Sequence, residues 1–265
     1  MARHSTSASR RDHSTVVALG LALMLGAACV PSDRPRVRVA DHEGLGRRVV
    51  ERAVAAHGGL GRWRSAQVMR FRYRETWSAP FTWLGQNPWP RSVVQADVAF
   101  WLHQVRAEVR FSHEPGVTWI LDEGQVSSEP AHVLDWNPGY ALPRTHYLTL
   151  LPFKLLDPGA RHTWLGHRVV DGRDHDEVLV TFDAGVGDSS ADRYWVLFDR
   201  ETGRLTKLFL TVTAYHALAF GDVVYEEWRW VDGLLLPARV QAYYTTPWGG
   251  LPLHLGEYDE VELVR

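Results

Sequence analysis

The sequence is poor in the residues that build cross-links, phosphate grips and membrane spans. It has one cysteine, Cys29, in 265 residues, which excludes an intramolecular disulfide and a multi-cysteine metal site. Lysine is nearly missing, with two residues against 27 arginines. The arginines are scattered among acids, so this bias points to coding composition rather than to phosphate recognition. With a net charge of −2 and no basic block, nothing favours a nucleic-acid partner. The most apolar run, residues 15–28, falls short of the roughly 20 residues that span a bilayer. Gly-x-Ser-x-Gly is absent, as are zinc-protease spacing and any internal repeat.

What is present begins with an export signal. Arg3, Arg10 and Arg11 precede the apolar run, and Leu25-Gly26-Ala27-Ala28-Cys29 resembles a lipobox, with glycine at 26 where leucine is usual. Residues 1–28 are therefore expected to be a signal peptide and Cys29 the lipidated new N-terminus. Ser9-Arg10-Arg11 resembles the start of a twin-arginine signal, but Asp12 and His13 do not continue it, so ordinary secretion is expected. The polar, proline-bearing residues 29–40 read as a tether and residues 41–265 as one folded domain. That mature chain carries 26 basic and 30 acidic side chains, a net charge near −4. Because Val30 rather than aspartate follows Cys29, an outer-membrane anchor facing the periplasm is expected if the envelope has two membranes.

The folded part opens with a helix. Asp41 is its expected cap, Leu45, Val49, Val50, Ala53 and Val54 its apolar stripe, and Gly58-Gly59 its end. After Ser65 the period changes to two: Met69, Phe71, Tyr73 and Trp77 share one face, with Arg70, Arg72, Arg74 and Thr76 on the other. Further strands are expected at residues 94–102, 104–111, 117–121, 176–182, 193–199, 205–213, 223–231, 236–244 and 253–264. Turn chemistry at Asp199–Gly203 and at Val231-Asp232-Gly233 favours pairing between neighbours. The exception is residues 143–156, where Leu148, Leu151 and Leu155 fit one or two short helices broken at Pro152. The expected fold is mainly β, an open, strongly curved antiparallel sheet wrapping a helical plug.

Four stretches carry a family resemblance: Ala56-His57-Gly58-Gly59-Leu60-Gly61-Arg62-Trp63, Leu151-Pro152-Phe153-Lys154-Leu155-Leu156-Asp157-Pro158-Gly159, Asp192-Arg193-Tyr194-Trp195-Val196-Leu197-Phe198-Asp199, and Asp232-Gly233-Leu234-Leu235-Leu236-Pro237. They resemble a family of uncharacterised bacterial lipoproteins, itself similar to the LolA/LolB-type lipoprotein carriers. The resemblance implies a half-barrel with an apolar cavity between sheet and helices, and a lipid or a lipoprotein acyl chain as ligand. It implies no catalytic residue.

Twelve tryptophans are several times the ordinary share. Phe81, Trp83, Leu84 and Trp89 lie between Pro80, Pro88 and Pro90, a stiff apolar loop that reads either as a cavity lid or as rings closing one end of the core. Candidate lining residues are Trp77, Phe81, Trp83, Trp89, Trp101, Trp119 and Trp248, with Trp136 and Trp164 as additions. Asp171, Asp174, His175 and Asp176 form the densest group of metal-ligand types, yet Gly172 and the flanking valines read as a solvated hairpin tip, so no metal is expected. His162 and His167 have no ligand spacing. Ser189-Ser190 sits in a polar turn, and Glu226 and Glu227 are expected on opposite faces of a strand. The reading is a non-enzymatic, cofactor-free lipid-binding envelope lipoprotein. The alternative is an envelope interaction module without a ligand.

Overall fold

The computed structural model describes residues 41–83, 87–89, 91–131, 138–187, 189–213, 220–246 and 249–265. The signal peptide, Cys29 and the tether lie outside them. The chain divides into two compact units. The first holds residues 1–36 and 246–249, of which only the backbones of Thr246 and Gly249 are described. The second, residues 37–245 and 250–265, holds the helices, the sheet and the core.

Helix α1 (His42–Ala56) starts where expected, because the Asp41 carboxylate accepts a hydrogen bond from the amide of Gly44 at 2.7 Å. Val49, Val50, Ala53 and Val54 are its buried stripe. It stops at His57, and Gly58 takes φ +109°. A side chain at 58 would overlap the carbonyl oxygen of Gly233, so only glycine lets the chain turn here into α2 (Gly59–Ser65). A short helix α3 (Ala79–Trp83) follows strand β1 (Val68–Trp77).

Next come β2 (Val93–Trp101), β3 (Arg106–Phe111), β4 (Thr118–Asp122), β5 (Gln125–Glu129), α4 (Pro138–Thr149) and a 3₁₀ turn (Phe153–Leu156). The chain ends in β6 (Ala160–Val170), β7 (Arg173–Phe182), β8 (Tyr194–Asp199), β9 (Leu205–Thr211), β10 (Phe220–Val231), β11 (Leu234–Thr246) and β12 (Gly249–Val264). All twelve strands belong to one open sheet in the order β5-β4-β3-β2-β1-β12-β11-β10-β9-β8-β7-β6. It consists of two meanders, β1–β5 and β6–β12, joined where β1 pairs antiparallel with β12, Val68 opposite Val264 and Trp77 opposite His254.

Each meander has its own apolar cluster. Met69, Phe71, Phe100, Phe111 and Trp119 meet Leu142 and Leu150 in one, from α4 and the residue just after it. In the other, Val50 and Ala53 of α1 and Tyr147 of α4 pack on Val178, Val196, Phe198 and Leu208. Helix α4 thus offers apolar side chains to both clusters. It is also pinned by polar bonds: His146 Nε2 lies 3.0 Å from the Trp101 carbonyl, and the Tyr225 hydroxyl donates to the Leu148 carbonyl at 2.7 Å. Arg144 donates to the fully buried carboxylate of Asp192 at 2.5 Å. Burial pushes the Asp192 pKa up, but hydrogen bonds from Thr213 and Arg144 outweigh this and hold it below the ordinary range.

Several expectations are corrected. Strands β5 and β6 were not anticipated: β5 is short and polar, and the alternation of β6 breaks at Gly166, where its register with β7 shifts. Helix α4 begins at Pro138, ahead of the expected start at 143, and includes Pro143. The hairpin tip is real, with Asp171 at φ +50° and Gly172 at +75°, but it is not solvated throughout, since His175, Asp176 and Glu177 are buried. Glu226 and Glu227 are both exposed, because β10 shifts register between Tyr225 and Trp228 and suspends the alternation.

His57 and His146 are almost fully buried. Desolvation lowers each to about 4 against partly opposing backbone hydrogen bonds. The unfolded chain protonates them near 6.5 while the folded chain does not, so stability is lost as pH falls from about 6.5 towards 4. Urea unfolding at pH 5 should show a loss on the order of 2 kcal/mol per histidine relative to pH 7. His57→Gln and His146→Gln should each flatten that dependence.

Candidate functional site

The inward face of β1 is Met69, Phe71, Tyr73, Glu75 and Trp77. Four of these are ordinary core. Glu75, only 1% exposed, is a carboxylate sunk among aromatic rings at the end of the strand that leads into α3. Burying such a charge costs several kcal/mol or more unless donors surround it, and here they do. The Trp77 indole donates to Oε1 at 3.0 Å, and the Trp89 indole donates to Oε2. His254, facing Trp77 across the β1–β12 ladder, brings Nδ1 to 2.7 Å from Oε1. That approach is off the hydrogen-bond line, with the imidazole stacked on Trp77 at 4.6 Å and 15°, and it becomes an ion pair when the ring is protonated.

The network continues inward. The Tyr73 ring lies 5.1 Å from that of Tyr258, and the Tyr258 hydroxyl shares a hydrogen bond with Thr149 of α4 at 3.0 Å. Burial, reinforced by the Glu75 charge, pushes the Tyr73 phenol well above its ordinary pKa, and burial likewise raises Tyr258. Both remain neutral. A side chain at 256 would stand 3.0 Å from the Tyr73 hydroxyl, so Gly256 gives this network its room. A polar chain therefore runs from the central helix through β12 and β1 to the aromatic segment after β1.

Four of the seven candidate lining residues are buried in the apolar cluster that this carboxylate adjoins. Trp77, Phe81, Trp89 and Trp119 are buried in one cluster, with Trp89 centred 5.8 Å from Phe111 and 6.0 Å from Trp119, and Phe81 5.9 Å from Tyr244. Trp83 is 83% exposed at the end of α3. Trp101 is not brought to this group: the register places it opposite Val68, at the other end of β1, with the Arg106 guanidinium 4.4 Å above its ring. Trp164 lies in the second cluster. Trp248, Trp136 and Leu84 fall outside the described residues. Among the described residues no three His, Cys, Asp or Glu side chains gather as a metal site, and no helix is long and apolar enough to cross a membrane.

Sequence reading missed Glu75, His254, Tyr258 and Thr149. The signal for Glu75 was available, since it occupies the inward phase of the alternation. Its partners were not, because they arrive from β12, α4 and the segment after α3.

No protein-family model matches the sequence, and no curated protein matches it. Solved structures do share the fold. A LolA superfamily protein from Nitrosomonas europaea superposes with TM-score 0.55 at 11% identity, over 83% of this chain and 94% of its own. A DUF1329 family protein from Desulfovibrio piger gives 0.54 at 10%, over 82% and 92%. A structure described as an outer membrane lipoprotein-sorting protein domain from Vibrio parahaemolyticus gives 0.52 at 10%, over 83% and 93%. The chain has a LolA-like fold. At these identities the likeness concerns architecture alone.

Replacing Glu75 with leucine leaves two indole N–H groups without their acceptor. Glu75→Leu should lose on the order of 3 kcal/mol in urea unfolding, whereas Glu75→Gln, which keeps one acceptor oxygen, should lose less. Equal stability of Glu75→Leu and the parent would show that the carboxylate does not organise this end of the core.

Proposed function

We propose that this protein is an exported, non-enzymatic lipoprotein, anchored through Cys29 and standing in the periplasm at the outer membrane of a two-membrane envelope. It binds a lipid or the acyl chain of a lipoprotein between sheet and helices. The observation that carries this reading is the aromatic segment after β1. Phe81 and Trp89 are folded inward, Trp83 stands outward, and Trp89 is held by a hydrogen bond to a buried carboxylate. In this reading the segment covers an apolar space, with Trp77, Phe81, Trp83, Trp89 and Trp119 as its lining or lid. A sixteen-carbon chain entering a dry site gains on the order of 10 kcal/mol at about 0.8 kcal/mol per methylene, so aromatic and aliphatic walls suffice for binding.

A second reading has its own support. Trp77, Trp89 and Trp119 are buried against the protein's own side chains while Trp83 projects outward, as expected of an envelope interaction module that holds no ligand and docks through this tip.

Mass spectrometry of organic extracts separates the two. A soluble form starting at Pro31 should carry stoichiometric lipid, diminished in a folded Trp83→Ala, Trp89→Ala variant. If both forms remain empty after incubation with envelope lipids, the carrier reading fails and the interaction module stands.

A further inference from the structure

On the other half of the sheet lies a groove of about 470 Å³ between α1 and the β6–β7 hairpin, within the roughly 300–1,000 Å³ range of small-ligand clefts. Nothing in the proposed function uses it. Its apolar lining is Leu45 and Val49, one turn apart on α1, and the indole of Trp164. The Trp164 ring is fixed rather than loose: Nε1 donates to Asp176 at 3.1 Å, and His167 packs edge-on at 5.1 Å. Around this floor stand three arginines, Arg48, Arg52 and Arg200.

The arginines differ in how firmly they are engaged. Arg52 is committed, donating at 2.5 Å to Asp176, whose buried carboxylate also meets His167 at 3.1 Å. Among the described residues, Arg48 and Arg200 reach only Asp41 at 3.6 Å and Asp174 at 3.3 Å. Both of those carboxylates are more than half exposed, and such pairs are weak and screened by solvent. Two guanidiniums beside an apolar floor can therefore exchange a surface carboxylate for a ligand oxyanion that brings an acyl chain with it. Arginine's planar fork suits a phosphate in particular.

We infer that this groove is a second binding site, separate from the aromatic end of β1, for a single-chain anionic amphiphile with a phosphodiester head. The head sits between Arg48 and Arg200, and the first part of the chain lies on Leu45, Val49 and Trp164. The exposure of the two arginines lets them be changed without disturbing the core. The site does not depend on the aromatic segment covering anything, so it stands or falls independently of the proposed carrier function.

The test is photo-crosslinking to the full chain in phosphatidylcholine nanodiscs, using diazirine-bearing lysophosphatidylglycerol and, in parallel, the zwitterionic lysophosphatidylcholine analogue. The anionic probe should label residues 42–56 or 160–177 saturably, at least tenfold more weakly in Arg48→Gln, Arg200→Gln, and undiminished in Trp83→Ala, Trp89→Ala. Leu45→Gln should weaken labelling by the anionic probe, and millimolar inorganic phosphate should compete poorly. Equal labelling by the zwitterionic probe would overturn the charge selection. Competition by phosphate at micromolar concentration would reduce the site to a simple anion site. Absence of labelling in these peptides while organic extracts of the soluble form contain lipid would remove the groove and leave the carrier reading intact.

Discussion

Strand β1 is hydrogen-bonded to β2 on one side and to β12 on the other, and among the described residues that second pairing is the ladder that joins the two meanders of the sheet. Each meander can satisfy most of its own backbone groups through short hairpins. The seam cannot form until the two ends of the folded domain meet, so it is paid for in loop-closure entropy and must be reinforced by side chains. The reinforcement is unusual in that it includes a charge. Glu75 and Tyr73 from β1 meet His254 and Tyr258 from β12 across the seam, and Thr149 ties the same network to the central helix.

A buried carboxylate together with its donors adds little net stability compared with a cluster in which all of them are apolar, but it penalises every arrangement that leaves the acid or its donors unpaired. Its value here is positional. Two indole N–H groups, from Trp77 and Trp89, bond to the two oxygens of one carboxylate, so the aromatic segment after β1 has a defined seat against the core. The same principle appears at the other half of the sheet, where Asp176 receives Arg52, Trp164 and His167. Both halves use a buried acid to hold a tryptophan and a histidine in place, and both do so beside a feature that can meet a ligand: the aromatic tip in one, the arginine-rimmed groove in the other.

Much of the architecture was legible beforehand because it follows from short-range rules. The cap at Asp41, the stripe on α1 and the alternation along β1 each depend on residues a few positions apart, and the structure reproduces them. The misses also have local causes. Gly166 and the bulge near Glu227 break the period of two, and β5 is too short and polar to announce itself.

The sequence by itself determined the class of the protein: many short strands with one wet face, a leading amphipathic helix, a helical interruption in the middle, and a surplus of large aromatics that must be covered. Only the tertiary structure decided which aromatics share a site and what holds them there. The pairing of Trp77 with His254, the arrival of Trp89 at Glu75, the removal of Trp101 to the opposite end of the strand and the meeting of α1 with Asp176 are all settled by tertiary packing and strand register. Periodicity states which face a residue occupies. It carries no information about which distant strand supplies the partner, because that is set by register across the seam.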